Sequence, residues 1–190
     1  MLKHLRPALV VLIAFTLLTG VVYPLAMTML AQTVFPAQAN GSPVMRHGVV
    51  VGSKLIGQAF ERPEYFWGRP SAAGKGYDAR SSSGSNLGPS SKALVDRILK
   101  DSARFGAPPE IIPPDLLLAS ASGLDPDISP AAARFQVARV AGARHLQLAQ
   151  VAHLVDAAVV APSFGVIGEP HVNVLELNLA LDAFSAAPAP

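Results

Sequence analysis

Three places in the chain hold residue types and spacings that could do chemistry. The first is Ser81–Ser91, SSSGSNLGPSS, which sets Gly and Ser backbone amides just before a predicted helix. Free N–H groups at such a point can hold a phosphate or a carboxylate, with Gly84, Ser85, Asn86 and Leu87 as the candidate contacts. The same residues equally build a capped turn that needs no ligand. The second is Ala119–Pro130, ASASGLDPDISP. Its candidates are Ser120, Ser122, Gly123, Leu124 and Asp125, with Asp127 two residues further on. Such a stretch could be an active site, a ligand loop or a surface built to meet another protein. Asp and Ser also satisfy local backbone donors in turns, and Gly123 permits positive φ. Docking or support of the fold is therefore preferred to chemistry. The third is the pair His145 and His153. Eight residues is not a chelating spacing, and no carboxylate pattern completes a metal site.

Recognisable catalytic patterns do not appear. The chain has no G-x-x-x-x-G-K-[ST], G-x-G-x-x-G, H-E-x-x-H or G-x-S-x-G. It has no cysteine, so disulfides and thiolate metal sites are excluded. The net charge is +2. Setting aside Lys3 and Arg6 leaves 13 basic against 13 acidic residues, which is no basic surface for nucleic acid. Arg134, Arg139 and Arg144 recur every five residues and spread around a helix axis, as solvated or paired arginines do.

These residues must be positioned by an unusual chain. No Asp, Glu, Lys or Arg lies between Arg6 and Arg46. The apolar run from Ala8 to Leu30 exceeds the roughly 20 residues that cross a hydrocarbon core. It is predicted to be a transmembrane helix over 7–35, kinked at Pro24. Thr16, Thr19, Gly20, Tyr23 and Thr28 interrupt it; such residues often mark a packing face between membrane helices, although these scatter around the helix and do not define one. Lys3 and Arg6 flank its start, so residues 1–6 are expected in the cytoplasm and 36–190 outside. A cleaved signal peptide is the alternative. Ala37–Ala39 has the small-x-small form, but the run is longer than the roughly 7–15 residues of such a signal.

Past Pro36 the pattern is that of a soluble α/β domain of α+β type. A short extended segment is expected around Val49–Val51. A loop follows that gathers Tyr65, Phe66, Trp67 and Tyr77 and covers a small apolar core. Helices are expected from a Ser90 or Ser91 cap to Phe105, over Ala131–Arg144 behind the cap Ser129 and Pro130, and over Leu146–Val159. The last helix places Leu148, Val151, Ala152, Val155 and Val159 on its core face. Leu175, Leu177, Leu179 and Leu181 alternate like a strand, yet the Leu, Ala and Glu content favours helix. A short strand at Val172–Val174 followed by helix reconciles the two. Residues 185–190 are expected to be a disordered tail.

Several blocks, in order and over nearly the whole chain, resemble one family. They are RPALVVLIAFTLLTGVVYPL, FPAQANGS, GSKLIGQAF, YFWGRPSA, GSNLGPSS, ASASGLDPDISPAAARFQVARVA and VNVLELNLALD. Together they are similar to the C subunit of the bacterial potassium-transporting Kdp ATPase. Ser83 stands where that family usually has a second glycine. The resemblance implies a single-pass inner-membrane subunit of a potassium import pump. It implies two partners, a channel-like potassium-translocating subunit and a P-type ATPase subunit, and a catalytic-chaperone role that raises the latter's ATP affinity. ATP is thus implied through the complex, and potassium is carried by a partner. Direct ATP contact conflicts with an extracytoplasmic domain, so an indirect effect is expected. An exported soluble binding protein and an anchored nucleotide-binding or hydrolytic domain are the competing readings.

Overall fold

The structure is a computed structural model and describes residues 2–186, in two compact units. The N-terminal unit is dominated by one helix, α1 (Leu5–Val34), long and apolar enough to cross a membrane. Its side chains are exposed all round, as expected of a helix whose solvent is lipid. A π-helical turn over Leu18–Val22 precedes Pro24. The wide turn accommodates a residue that lacks an N–H and whose ring crowds the preceding turn, so the helix continues to Val34. The hydroxyls of Thr19 and Thr28 donate to the carbonyls four residues earlier, at 2.7 and 2.8 Å. Their polar groups are thereby satisfied within the helix, as a lipid environment requires.

Beyond α1, Pro36–Ala39 forms a single helical turn. Asn40 closes it by donating to the Pro36 carbonyl at 2.6 Å and to Gln32 Oε1 at 3.0 Å. A hairpin follows, of β1 (Pro43–Arg46) and β2 (Val49–Ser53). Only β2 was expected from the sequence. His47 and Gly48 both have positive φ, 51° and 79°, the pair that a tight type I′ turn demands.

The C-terminal unit is the α+β domain. Its helices are α2 (Lys92–Phe105), α3 (Pro130–Arg144), α4 (Leu148–Ala157) and α5 (Val174–Ala186). Its sheet has β3 (Asp127–Ile128), β4 (Val159–Val160) and β5 (His171–Asn173). The order is β3-β5-β4 and both pairings are antiparallel, with Ile128 and Val159 both opposite Val172. Ile128, Val140, Val151, Val155, Val172 and Leu181 lie in one buried cluster between helices and sheet.

Several expectations are met and several corrected. Ser129 caps α3 through its hydroxyl, which accepts from Ala132 N at 3.0 Å. Ser91 stands at the cap of α2, but no side-chain cap bond forms there. Helix α4 ends at Ala157, short of the expected Val159, because Val159 pairs with Val172 in the sheet. Leu148, expected in the core, opens the helix and is exposed. In α5 the buried positions are 174, 175, 177, 178 and 181, a helical spacing, so the alternating leucines do not form a strand. Helix α5 overlaps the expected tail at residues 185 and 186, and the rest of that tail lies outside the described residues.

The aromatic loop is held by a device the sequence did not advertise. The side-chain amide of Asn178, on α5, accepts from Phe66 N at 2.8 Å and donates to Phe66 O at 3.0 Å. Gln136, on α3, does the same for Trp67, at 2.8 and 3.0 Å. Two amide side chains thus satisfy both backbone groups of two consecutive buried residues, as a neighbouring strand would. Arg139 adds bonds to the carbonyls of Pro63 and Tyr65, and Arg144 to that of Glu64.

Candidate functional site

The two candidate loops lie against each other. Ser83 N donates to Ser122 O at 3.0 Å, and the Ser82 hydroxyl donates to the same oxygen at 2.9 Å. A Cβ on Gly84 would stand 2.9 Å from the Ala121 carbonyl oxygen. On Gly123, whose φ is +66°, it would stand 2.6 Å from Ser83 O and 2.7 Å from Ala73 N. Both glycines are therefore required by close backbone approach. Gly84, Ser122 and Gly123 are brought together; Ser85, Asn86 and Leu87 form no hydrogen bond to the second loop among the described residues.

The second loop is clamped from its other side by residues that were not among the candidates read from the sequence. The Ser71 hydroxyl donates to Gly123 O at 2.6 Å and accepts from Ala73 N and Tyr77 N. Gly57 N donates to Leu124 O at 2.8 Å. Arg69 Nη1 pairs with Asp125 at 3.0 Å, both side chains being about a quarter to a third exposed. The Tyr77 hydroxyl donates to Arg69 O at 2.6 Å. Burial pushes the Tyr77 phenol up to about 12; Asp125 adds to that rise, and Arg104 and Arg69 oppose it. Asp125 also accepts from Asp127 N at 3.1 Å, a local turn bond. Ser120 is buried, and its hydroxyl has no partner among the described residues. The block YFWGRPSA and Tyr77 held the only sequence signal for this clamp: charged, hydroxyl and aromatic side chains among turn formers.

Two cavities flank Arg69. One, of about 190 Å3, is lined by Trp67, Ser71, Lys75, Tyr77 and Arg104. Over the Trp67 ring stand the guanidinium groups of Arg139 at 3.7 Å and Arg104 at 4.7 Å. Burial, and then the charge of Arg104, lowers the Arg139 pKa to about 10. The other, of about 380 Å3, is lined by Asp115, Asp125, Asp127, Glu169 and His171. Asp127 is held above the ordinary carboxylate range by burial, against the pull of His171 and of the Asn173 amide.

The arrangement is a set of backbone-to-backbone and side-chain-to-backbone bonds, which fixes shape. Among the described residues no group of three or more His, Asp or Glu is poised to hold a metal. His145 terminates α3 in the left-handed conformation, and both it and His153 face solvent. Arg134 pairs with Asp156 and Arg144 with Asp182, as paired arginines were expected to do.

The model of the family KdpC, "K+-transporting ATPase, c chain", matches residues 5–183. A protein of Caulobacter vibrioides (strain NA1000 / CB15N) is 59% identical over 186 residues, covering 96% of this chain and 94% of the relative. One of Rhodopseudomonas palustris (strain ATCC BAA-98 / CGA009) is 55% identical over 202 residues, covering 99% of this chain and all of the relative. One of Gemmatimonas aurantiaca is 57% identical over 194 residues, covering 98% and 96%. Each of the three carries the name potassium-transporting ATPase KdpC subunit.

Proposed function

Since the chain belongs to the KdpC family, the c chain of the K+-transporting ATPase, we propose that it serves that pump as an accessory, non-catalytic subunit. The observation that carries this is the family match over 5–183, which takes in both the helix α1 and the α+β domain. An exported soluble binding protein is not favoured by such a match.

In this reading α1 anchors the chain in the bacterial inner membrane. Lys3 and Arg6 stay in the cytoplasm, and residues 36–190 lie on the far side. The partners are the channel-like potassium-translocating subunit, which carries the ion, and the P-type ATPase subunit, which binds ATP. The clamped loops, with Gly84, Ser122, Gly123, Leu124 and Asp125 at their centre, present a rigid face for docking. Shape fixed before binding lowers the ordering cost of association. Their amides support this in one respect: the Ser83 N–H and the carbonyls of Ser122, Gly123 and Leu124 are committed to internal bonds. The chaperone effect on ATP affinity then reaches the ATPase subunit indirectly. Docking favours the conformation of the complex that binds ATP better, and the gain is limited by the difference in docking energy between the two states.

The test is a pump assembled with and without this chain in mild detergent. The full-length tagged chain is expected to bring down both partners, and omitting it to raise the KM for ATP. An unchanged KM would remove the chaperone role. Crosslinking of photoreactive ATP to residues 52–186 in a correctly oriented complex would replace the indirect route by direct contact.

A further inference from the structure

Between β4 and β5 the α+β domain carries a short, exposed apolar finger. Its tip carries Phe164, Val166 and Ile167, which are 94, 82 and 64% exposed. An apolar loop tip that exposed is ordinarily expected to fold back on the core. Here its backbone is held in shape by its own hydrogen bonds. Ser163 and Ile167 pair as an isolated antiparallel bridge, with N···O distances of 2.9 and 3.0 Å. Gly165 N closes the turn on Pro162 O at 2.9 Å. The finger is therefore pre-shaped, with little ordering left to be done on binding.

What surrounds it selects the occupant. From residue 145 to 186 the chain has no Lys or Arg. The finger runs directly into Glu169 and His171, which line the 380 Å3 cleft together with Asp115, Asp125 and Asp127. Among the described residues that line that cleft, Arg69 alone brings a permanent positive charge, and it is paired with Asp125. Insertion into a lipid surface draws on basic residues to engage anionic headgroups. This tip has none, and the carboxylates beside it oppose an anionic surface. A second copy of the chain would set one acidic cleft against another. The complementary surface is an apolar socket in a polypeptide, rimmed by Lys or Arg.

We propose that the finger Ser163–Gly168 and the acidic cleft at its base form one docking surface for another subunit of the transport complex. The three tip side chains fill an apolar socket, and Asp115, Asp127 and Glu169 face basic residues around it. The cleft also holds Asp125, so this surface continues the clamped loop described above. The inference rests on the subunit role proposed above and names the part of the chain that makes the contact.

The experiment uses the full-length tagged chain in its assembled complex. A photoreactive benzoylphenylalanine is incorporated in place of Phe164, and the crosslinked peptide is identified by mass. In parallel, the double variant Phe164→Ser, Ile167→Ser and the single variant Glu169→Gln are purified in mild detergent over a series of NaCl concentrations. The expected result is a crosslink to another subunit of the K+-transporting ATPase. The double variant should lose at least tenfold of its co-purified subunits, and Glu169→Gln should reduce the salt sensitivity of the complex. The tip side chains are exposed, so the urea midpoint of the double variant should equal that of the wild type. Crosslinks only to lipid or to a second copy of the chain overturn the proposal. So does full assembly of the double variant while the wild-type complex is intact. A wild-type chain that brings down no subunit removes the subunit role itself, and with it this surface.

Discussion

At the scale of single residues, the candidate site is a packing problem solved by glycine and by short hydroxyl side chains. Gly123 occupies a left-handed backbone with Ser83 O and Ala73 N where a methyl group would go. Gly123→Ala is expected to cost about 2 kcal/mol or more, from backbone strain and overlap together. Urea unfolding followed by Trp67, the only tryptophan, measures it directly. Tyr77 gives a pH signature. Its phenol is raised from the ordinary 10.0 to about 12. Below pH 10 both folded and unfolded chains keep the proton. Above it the unfolded chain loses the proton first, so stability falls from about pH 10 until the folded pKa near 12 is passed. Tyr77→Phe should flatten that fall, while losing the bond to Arg69 O at all pH values. Urea midpoints at pH 8 and 11 for the two proteins separate the effects.

At the scale of elements, the domain is joined by side chains that replace missing strands. Phe66 and Trp67, at the end of the loop from Arg62, are buried without a sheet neighbour, and Asn178 and Gln136 take that neighbour's place. Asn178→Leu keeps the volume and leaves the N–H and C=O of Phe66 unpaired in the core. A loss of about 3 kcal/mol is expected, since each stranded buried group costs about 1–3. If the variant unfolds at the wild-type urea midpoint, the amide clamp is irrelevant to stability. The same clamp shows what was legible in the chain. The helices over 92–105 and 130–144 could be read from caps and from turn formers, because those signals are local. The hairpin partner β1 and the end of α4 at Ala157 could not, because a two-residue strand such as Val159–Val160 exists only through its pairing with β5.

At the scale of the whole molecule, the helix α1 decides where everything else works. An all-exposed apolar helix of 30 residues is stable in lipid and a liability in water. The chain is expected to stay with membranes through alkaline carbonate extraction. N-terminal sequencing should find the mature chain starting ahead of α1, and a start at Asn40 would overturn the anchor. The length of the apolar run, the cationic start, the absence of cysteine and of catalytic spacing, and the order of the family blocks are all properties of the linear chain. They are additive along it, so the sequence by itself determined the long apolar helix, the α+β domain and the family. Which residues meet was decided only in three dimensions. Arg69 with Asp125, Ser71 with Gly123, and Asn178 with Phe66 are separated by 56, 52 and 112 positions. Nothing in local propensity or periodicity selects such partners. They are chosen by the need to pair the polar groups that the closing core buries, and that requirement exists only in the folded chain.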